Sequence, residues 1–133
     1  MSELKTLTIE LYKNFNSEVS VDDFIETYWA PDFKEHESIP GVEVESDRDL
    51  ARMMIGMMRA AMPDIQATVD DLIQEGDKIV ARGTFVGTHT GGEFMGKPAD
   101  GSKVAIPYID ILLWRGDKVA EHWGQADMSG LMG

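Results

Sequence analysis

Cysteine is absent from this chain of 133 residues. That excludes a disulfide framework, a thiolate nucleophile and any zinc site built on sulfur. Basic residues are scarce, with 12 Lys and Arg against 24 Asp and Glu and a net charge of −12. Nucleic acid and anionic membrane surfaces both need a basic face, so neither is an expected partner. No apolar run approaches the roughly 20 residues that span a bilayer. The opening MSELKTLTIELYK is charged from Glu3 onward, unlike a signal peptide, and the expectation is a cytoplasmic protein. Histidine is rare too. His36, His89 and His122 match no local metal signature, such as the i, i+4 pair of metalloproteases. There is no Gly-x-Ser-x-Gly, Ser-His-Asp or dinucleotide motif, and HTGGEFMG lacks the spacing of a phosphate loop. No metal and no cofactor is expected.

What is present is enough for one domain over residues 1–133, since 43% of the chain is apolar. Leu4, Leu7, Leu11 and Phe15, with Tyr12 beside them, follow the spacing of an amphipathic helix. A second helix begins after Ser20, with Asp23 three residues on, and is predicted to stop at Ala30 because Pro31 follows. A third starts near Ser46 and ends at Pro63, with Leu50, Met53, Met54, Met57, Met58, Ala61 and Met62 in its stripe. These methionines read as core, with Met57 also a candidate for an adaptable hydrophobic pocket lining, and Trp29 joins it there.

After Pro63 the period changes from 3.6 to 2. Strands are predicted over 65–73, 78–88, 103–114 and 119–127, preceded by a short one near Phe33. Helices followed by antiparallel strands make an α+β fold, a curved sheet around three helices with an interior that can hold a ligand. A two-residue loop at Gly116-Asp117 would set Asp110 opposite Trp123, Tyr108 opposite Gln125, Ile106 opposite Asp127 and Leu112 opposite Glu121. On that register these side chains share a polar-studded pocket wall. Pro107, Ile109, Ile111, Leu113, Ala120 and His122 then fall on the other, apolar face, which is expected to join two copies in a homodimer.

Three positions stand out chemically. Asp127, placed among Trp123, Tyr108 and Ile106, would lose solvation, rise in pKa and serve as an acid/base; its alternative is a solvated carboxylate at a strand end. Asp110 sits between Ile109 and Ile111, an expensive place for a carboxylate unless a buried network or a pocket uses it. His36 is the histidine placed best for a pocket rim, whereas His122 reads as structural.

The stretch from Met62 to Asp127, with its Pro-Asp, its "GD" turn, GTHTG, G-K-P-A-D-G and a closing E-H-W-x-x-x-D, resembles the SnoaL-like polyketide cyclase family. YWAPDFKEH is similar to that family's Tyr-x-x-Asp-x-x-x-His. The resemblance implies the cone-shaped fold shared with nuclear transport factor 2, ketosteroid isomerases and limonene epoxide hydrolase. It implies an aldol-type ring closure without metal or cofactor, with Asp127 as general acid/base and His36 its pocket partner. His122, Trp123, Tyr108, Asp110, Gln125, Trp29 and Met57 complete the expected substrate site. The leading expectation is therefore a cofactor-free lyase or isomerase acting on a hydrophobic carbonyl compound. The competing ones are an epoxide hydrolase with an Asp–Arg–Asp relay and a non-catalytic small-molecule binder. Arg82 and Arg115 are predicted to be committed elsewhere, to a pair with Asp71 and to a turn.

Overall fold

The computed structural model describes residues 2–16, 18–37 and 42–132. Each of the three larger helices begins at a serine whose hydroxyl accepts a backbone N–H three residues on. Ser2 caps α1 (Glu3–Lys13), Ser20 caps α2 (Val21–Tyr28) and Ser46 caps α3 (Asp47–Ala61). Helix α2 stops two residues earlier than predicted. Pro31 drives the residues before it into extended geometry, so Trp29 already opens β1 (Trp29–Glu35). The Lys118 ammonium donates to the Glu26 and Thr27 carbonyls and so satisfies the end of α2.

The remaining strands are β2 (Gln66–Ala67), β3 (Asp71–Glu75), β4 (Lys78–Thr88), β5 (Lys103–Arg115) and β6 (Lys118–Ala126), with a short α4 (Ser129–Met132) after them. The sheet order is β1-β6-β5-β4-β2, with β3 also on β4. It is a curved, unclosed, mixed sheet: β1 runs parallel to β6, where an antiparallel sheet was expected. The predicted strand over 65–73 is two pieces, and the break has a visible cause. Thr68 turns its carbonyl toward the sheet, within 1.9 Å of where a side chain on Gly83 would begin, and accepts the Tyr108 hydroxyl at 2.6 Å. Only glycine leaves room there.

The β5–β6 hairpin decides where the candidate site residues point. Its turn is the expected one: Arg115 pairs with Lys118 and Trp114 with Val119. A bulge then inserts one extra residue at Ala120, so that Leu113 pairs with Glu121, Leu112 with His122, Asp110 with Gly124 and Tyr108 with Ala126. A one-residue slip exchanges the two faces of a strand. His122 therefore turns inward beside Tyr108, Asp110 and Leu112, while Glu121, Trp123 and Gln125 move to the outer face. The physical reason lies in Val119 and Ala120, consecutive residues that are both buried, which strict alternation does not allow. Inside, Phe24, Ile25, Met62, Ile65, Ile106 and Leu112 belong to one continuous core between the helices and the sheet.

Candidate active site

Between the helices and the concave face of the sheet lies a cavity of about 380 Å³. Helix α1 presents Leu11 and Tyr12 to it, Phe15 follows just past the helix end, and α3 presents Leu50, Met54, Ile55 and Met58 at helical spacing. The sheet contributes Phe85, Tyr108, Asp110, Leu112 and His122, and β1 contributes Trp29 and Glu35. The wall is apolar and aromatic except at one end. There the three neighbouring strands β1, β6 and β5 bring Glu35, His122 and Asp110 onto one face.

Those three side chains form a chain of hydrogen bonds. His122 Nδ1 lies 2.7 Å from both Glu35 carboxylate oxygens, and its Nε2 lies 2.8 Å from Asp110 Oδ1. The Tyr12 hydroxyl donates to Asp110 Oδ2 at 2.5 Å. A ring whose two nitrogens both meet carboxylates must donate from both, and is therefore the imidazolium. Burial pushes the His122 pKa down, but hydrogen bonds to and charges of Asp110 and Glu35 outweigh it and hold it up at about 10. With His122 protonated, two carboxylates and one cation leave a net single negative charge. Their side chains are 20%, 13% and 14% exposed for His122, Glu35 and Asp110, which shields the group from water without sealing it.

The neighbouring phenols stay protonated. Burial, then the charge of Asp110, pushes the Tyr12 pKa well above its ordinary value, and Tyr108 is raised by the same causes in the same order. The two rings stack at 5.0 Å and Phe85 stacks on Tyr108 at 4.6 Å. Trp29 lines the wall and its buried indole N–H has no hydrogen-bond partner. An orphaned buried donor costs about 1–3 kcal/mol, and an acceptor on a bound ligand is one way to recover it.

Of the residues singled out from sequence, the structure brings Tyr108, Asp110, His122 and Trp29 to the cavity. Gln125 stands at its rim, with its amide 3.2 Å from Glu37 Oε2. Met57 is half-buried against the core but does not line the cavity; Met54 and Met58 do. His36, Trp123 and Asp127 lie elsewhere. His36 stacks on Trp123 at 4.4 Å and bonds Glu121 at 2.8 Å on the outer sheet face, where the Lys78 ammonium also approaches the Trp123 ring at 5.2 Å. Asp127 is exposed and accepts the Ser129 backbone N–H; hydrogen bonding from Ser129, side chain first and backbone second, holds its carboxyl below the usual range. The expected rise in its pKa is thus reversed, because the bulge removes it from the ring cluster.

Sequence reasoning missed Glu35 and Tyr12. Alternation along β1, with Phe33 buried, would have turned Glu35 to the same side. No lysine or arginine is among the described cavity residues. Arg82 is held by Asp71 and Arg115 by Asp32, so the Asp–Arg–Asp relay of the hydrolase expectation has no arginine there. Among the described residues no group of His, Asp and Glu is arranged to hold a metal ion, and no helix is long and apolar enough to cross a membrane.

The model of one family, described as SnoaL-like polyketide cyclase, matches residues 6–133. Among solved structures, the proposed hydroxylase AclR of Streptomyces galilaeus superposes with a TM-score of 0.81 at 32% identity, covering 99% of this chain and 80% of that one. The proposed polyketide cyclase IdmH of Streptomyces antibioticus gives 0.80 at 27%, covering 98% and 96%. A proposed polyketide cyclase of Acidithiobacillus ferrooxidans gives 0.79 at 22%, covering 98% and 92%, and shows the shared fold. No curated protein matches the chain.

Proposed function

The chain belongs to the SnoaL-like polyketide cyclase family, and from that premise we propose a small-molecule cyclase or isomerase in which Asp110 moves a proton at a carbon next to a carbonyl. The observation that carries this reading is the Tyr12–Asp110–His122–Glu35 hydrogen-bond chain at the one polar end of an apolar cavity.

Each member has a role its surroundings fit. A hydrophobic substrate fills the aromatic and methionine-lined space and brings its carbonyl oxygen to the Tyr12 hydroxyl. That hydroxyl turns from Asp110 Oδ2 to the carbonyl, and the freed Oδ2 takes the proton from the adjacent carbon. Electrons of the broken C–H bond pass to the carbonyl oxygen, where the Tyr12 O–H stabilises the developing enolate. For ring closure, the enolate carbon attacks a second carbonyl of the same molecule, and the new alkoxide recovers the proton from Asp110. For isomerisation, the proton returns to a different carbon. His122 remains bonded to Oδ1 throughout, and Glu35 fixes the imidazolium ring against it.

The test is exchange of substrate C–H for deuterium in D₂O, read by NMR on a panel of cyclic and acyclic 1,3-dicarbonyl probes. Asp110→Asn should slow exchange about 10²–10⁴-fold, and Asp127→Asn should leave it within about twofold of the unmodified protein. Exchange that survives in the Asp110 variant and fails in the Asp127 variant would return the acid/base role to Asp127. Saturable binding of probes without any exchange would make the protein a binder.

The reading includes a homodimer. Ile73, Val86 and Ile109 on the outer sheet face are 63%, 38% and 52% exposed, with Pro107, Ile111, Leu113 and Trp123 beside them. These apolar side chains, which share the face with Arg82 and Lys78, support burial against a second copy.

A further inference from the structure

His122 and Asp110 are not opposite one another in the sheet. Leu112 is the cross-strand partner of His122, and Gly124 is the partner of Asp110. The two functional side chains are therefore diagonal neighbours, a relationship that separates backbones by roughly 7–8 Å. To bond at 2.8 Å they must lean toward each other across position 124. The space over that position is where they meet. A Cβ there would stand 2.4 Å from Asp110 Oδ1 and 2.6 Å from both Nε2 and Cε1 of His122. The glycine is not explained by its backbone, since its φ lies outside the left-handed region in which Gly76, Gly96, Gly101 and Gly116 sit. Alanine could adopt the same strand geometry. What it could not do is share the volume with the two side chains.

We infer that Gly124 is the positioning residue of the site: its missing side chain is what lets the Asp110 carboxylate close on the His122 ring. This deepens the proposed function and rests on it only for the chemical meaning of the contact. Gly124 touches no reacting atom. Its contribution is to couple a carboxylate on β5 to an imidazole on β6, and through that ring to Glu35 on β1. With any larger residue, one of the two side chains must rotate away. His122 would keep Glu35, to which it is bonded on its other nitrogen, so Asp110 is the partner that is lost.

The experiment is an NMR titration of the histidine rings in unmodified protein and in Gly124→Ala, with His122→Gln used to assign the His122 resonance. In the unmodified protein His122 should titrate near 10. In Gly124→Ala its midpoint should fall by at least one pH unit, a tenfold change in acidity, while the midpoints of His36 and His89 stay in place. A merely structural role for the glycine would not move one histidine selectively. A folded Gly124→Ala protein with an unchanged His122 midpoint overturns the inference. Should Gly124→Ala fail to fold, the double variant Gly124→Ala/Asp110→Ala decides. Recovery of folding locates the clash at the Asp110 carboxylate; recovery only when the His122 ring, 2.6 Å from the added Cβ, is removed as well locates it at that ring, and failure of both variants shows that glycine is needed for another reason. Loss of the His122 shift together with normal exchange chemistry would sink the catalytic reading and leave this one standing.

Discussion

Raising the pH from 7 to 9 perturbs the Glu35–His122–Asp110 group without touching a single atom of the sequence. In the unfolded chain a histidine titrates near 6.5; in the fold, His122 is held at about 10. Because the folded value is the higher one, the imidazolium contributes stability that is fully present below about 6.5 and disappears as pH climbs through about 10. Between those limits the folded protein binds one proton more than the unfolded chain, so stability falls by as much as 1.36 kcal/mol per pH unit. The step from 7 to 9 therefore has a ceiling of about 2.7 kcal/mol, and roughly 2 kcal/mol is expected once residual water at the partly accessible ring is allowed for.

The assay is urea unfolding followed by tryptophan fluorescence at pH 7, 8 and 9, repeated with His122→Gln. The range stops at 9 for a physical reason. Tyr12 and Tyr108 are held protonated in the fold, and above about pH 10 their ionisation in the unfolded chain would draw stability away on its own account. The unmodified protein should lose stability steadily over the interval, and the His122→Gln variant should show a slope at least twofold shallower. Equal slopes in the two proteins, or a His122 resonance that titrates near 6.5, would refute the paired imidazolium and the charge assignment built on it.

Tyr12→Phe removes the donor to Asp110 Oδ2 and should cost about 1–3 kcal/mol, along with most of the deuterium exchange; a variant with normal exchange would exclude the hydroxyl from the chemistry. Met58→Ala should cost about 2–3 kcal/mol, toward the low end for a buried methionine because its side chain already borders open cavity. Met57→Ala, at a half-buried position, should cost less than Met58→Ala, and a reversed order in thermal unfolding would show that α3 presents a different face. Ile109→Glu, on the exposed outer face, should convert a species of twice 14.8 kDa into a folded monomer in sedimentation, and an unmodified protein already monomeric at micromolar concentration would eliminate the dimer.

Much of the architecture is legible locally because the signals are local. Ser20 and Ser46 stand where capping chemistry puts helix starts, and Gly116, with φ of +64°, makes the tight turn of the last hairpin as predicted. The sharp rule about Pro31 worked in kind and missed by two residues, since the extended geometry it imposes reaches back into Trp29. The parallel pairing of β1 with β6 is a long-range event and has no local mark.

The site illustrates the same divide at higher cost. Asp110 was conspicuous because a carboxylate in an apolar strand demands partners, and it has them. The partners come from 98 residues upstream, in Tyr12, and 12 residues downstream, in His122. Strand alternation then transmits one local irregularity to every side chain beyond it. A single extra residue at Ala120 moves His122 into the cavity, carries Trp123 and Asp127 out of its wall and leaves Gln125 only at the rim. The warning was present in the chain as Val119-Ala120, two adjacent apolar residues where alternation allows one. A carboxylate that looked embedded among aromatic rings is thereby left in water, bonded to the Ser129 N–H. The half-buried charge at Asp110 is the one whose expense the fold has met with an imidazolium, a phenol and the empty side of a glycine.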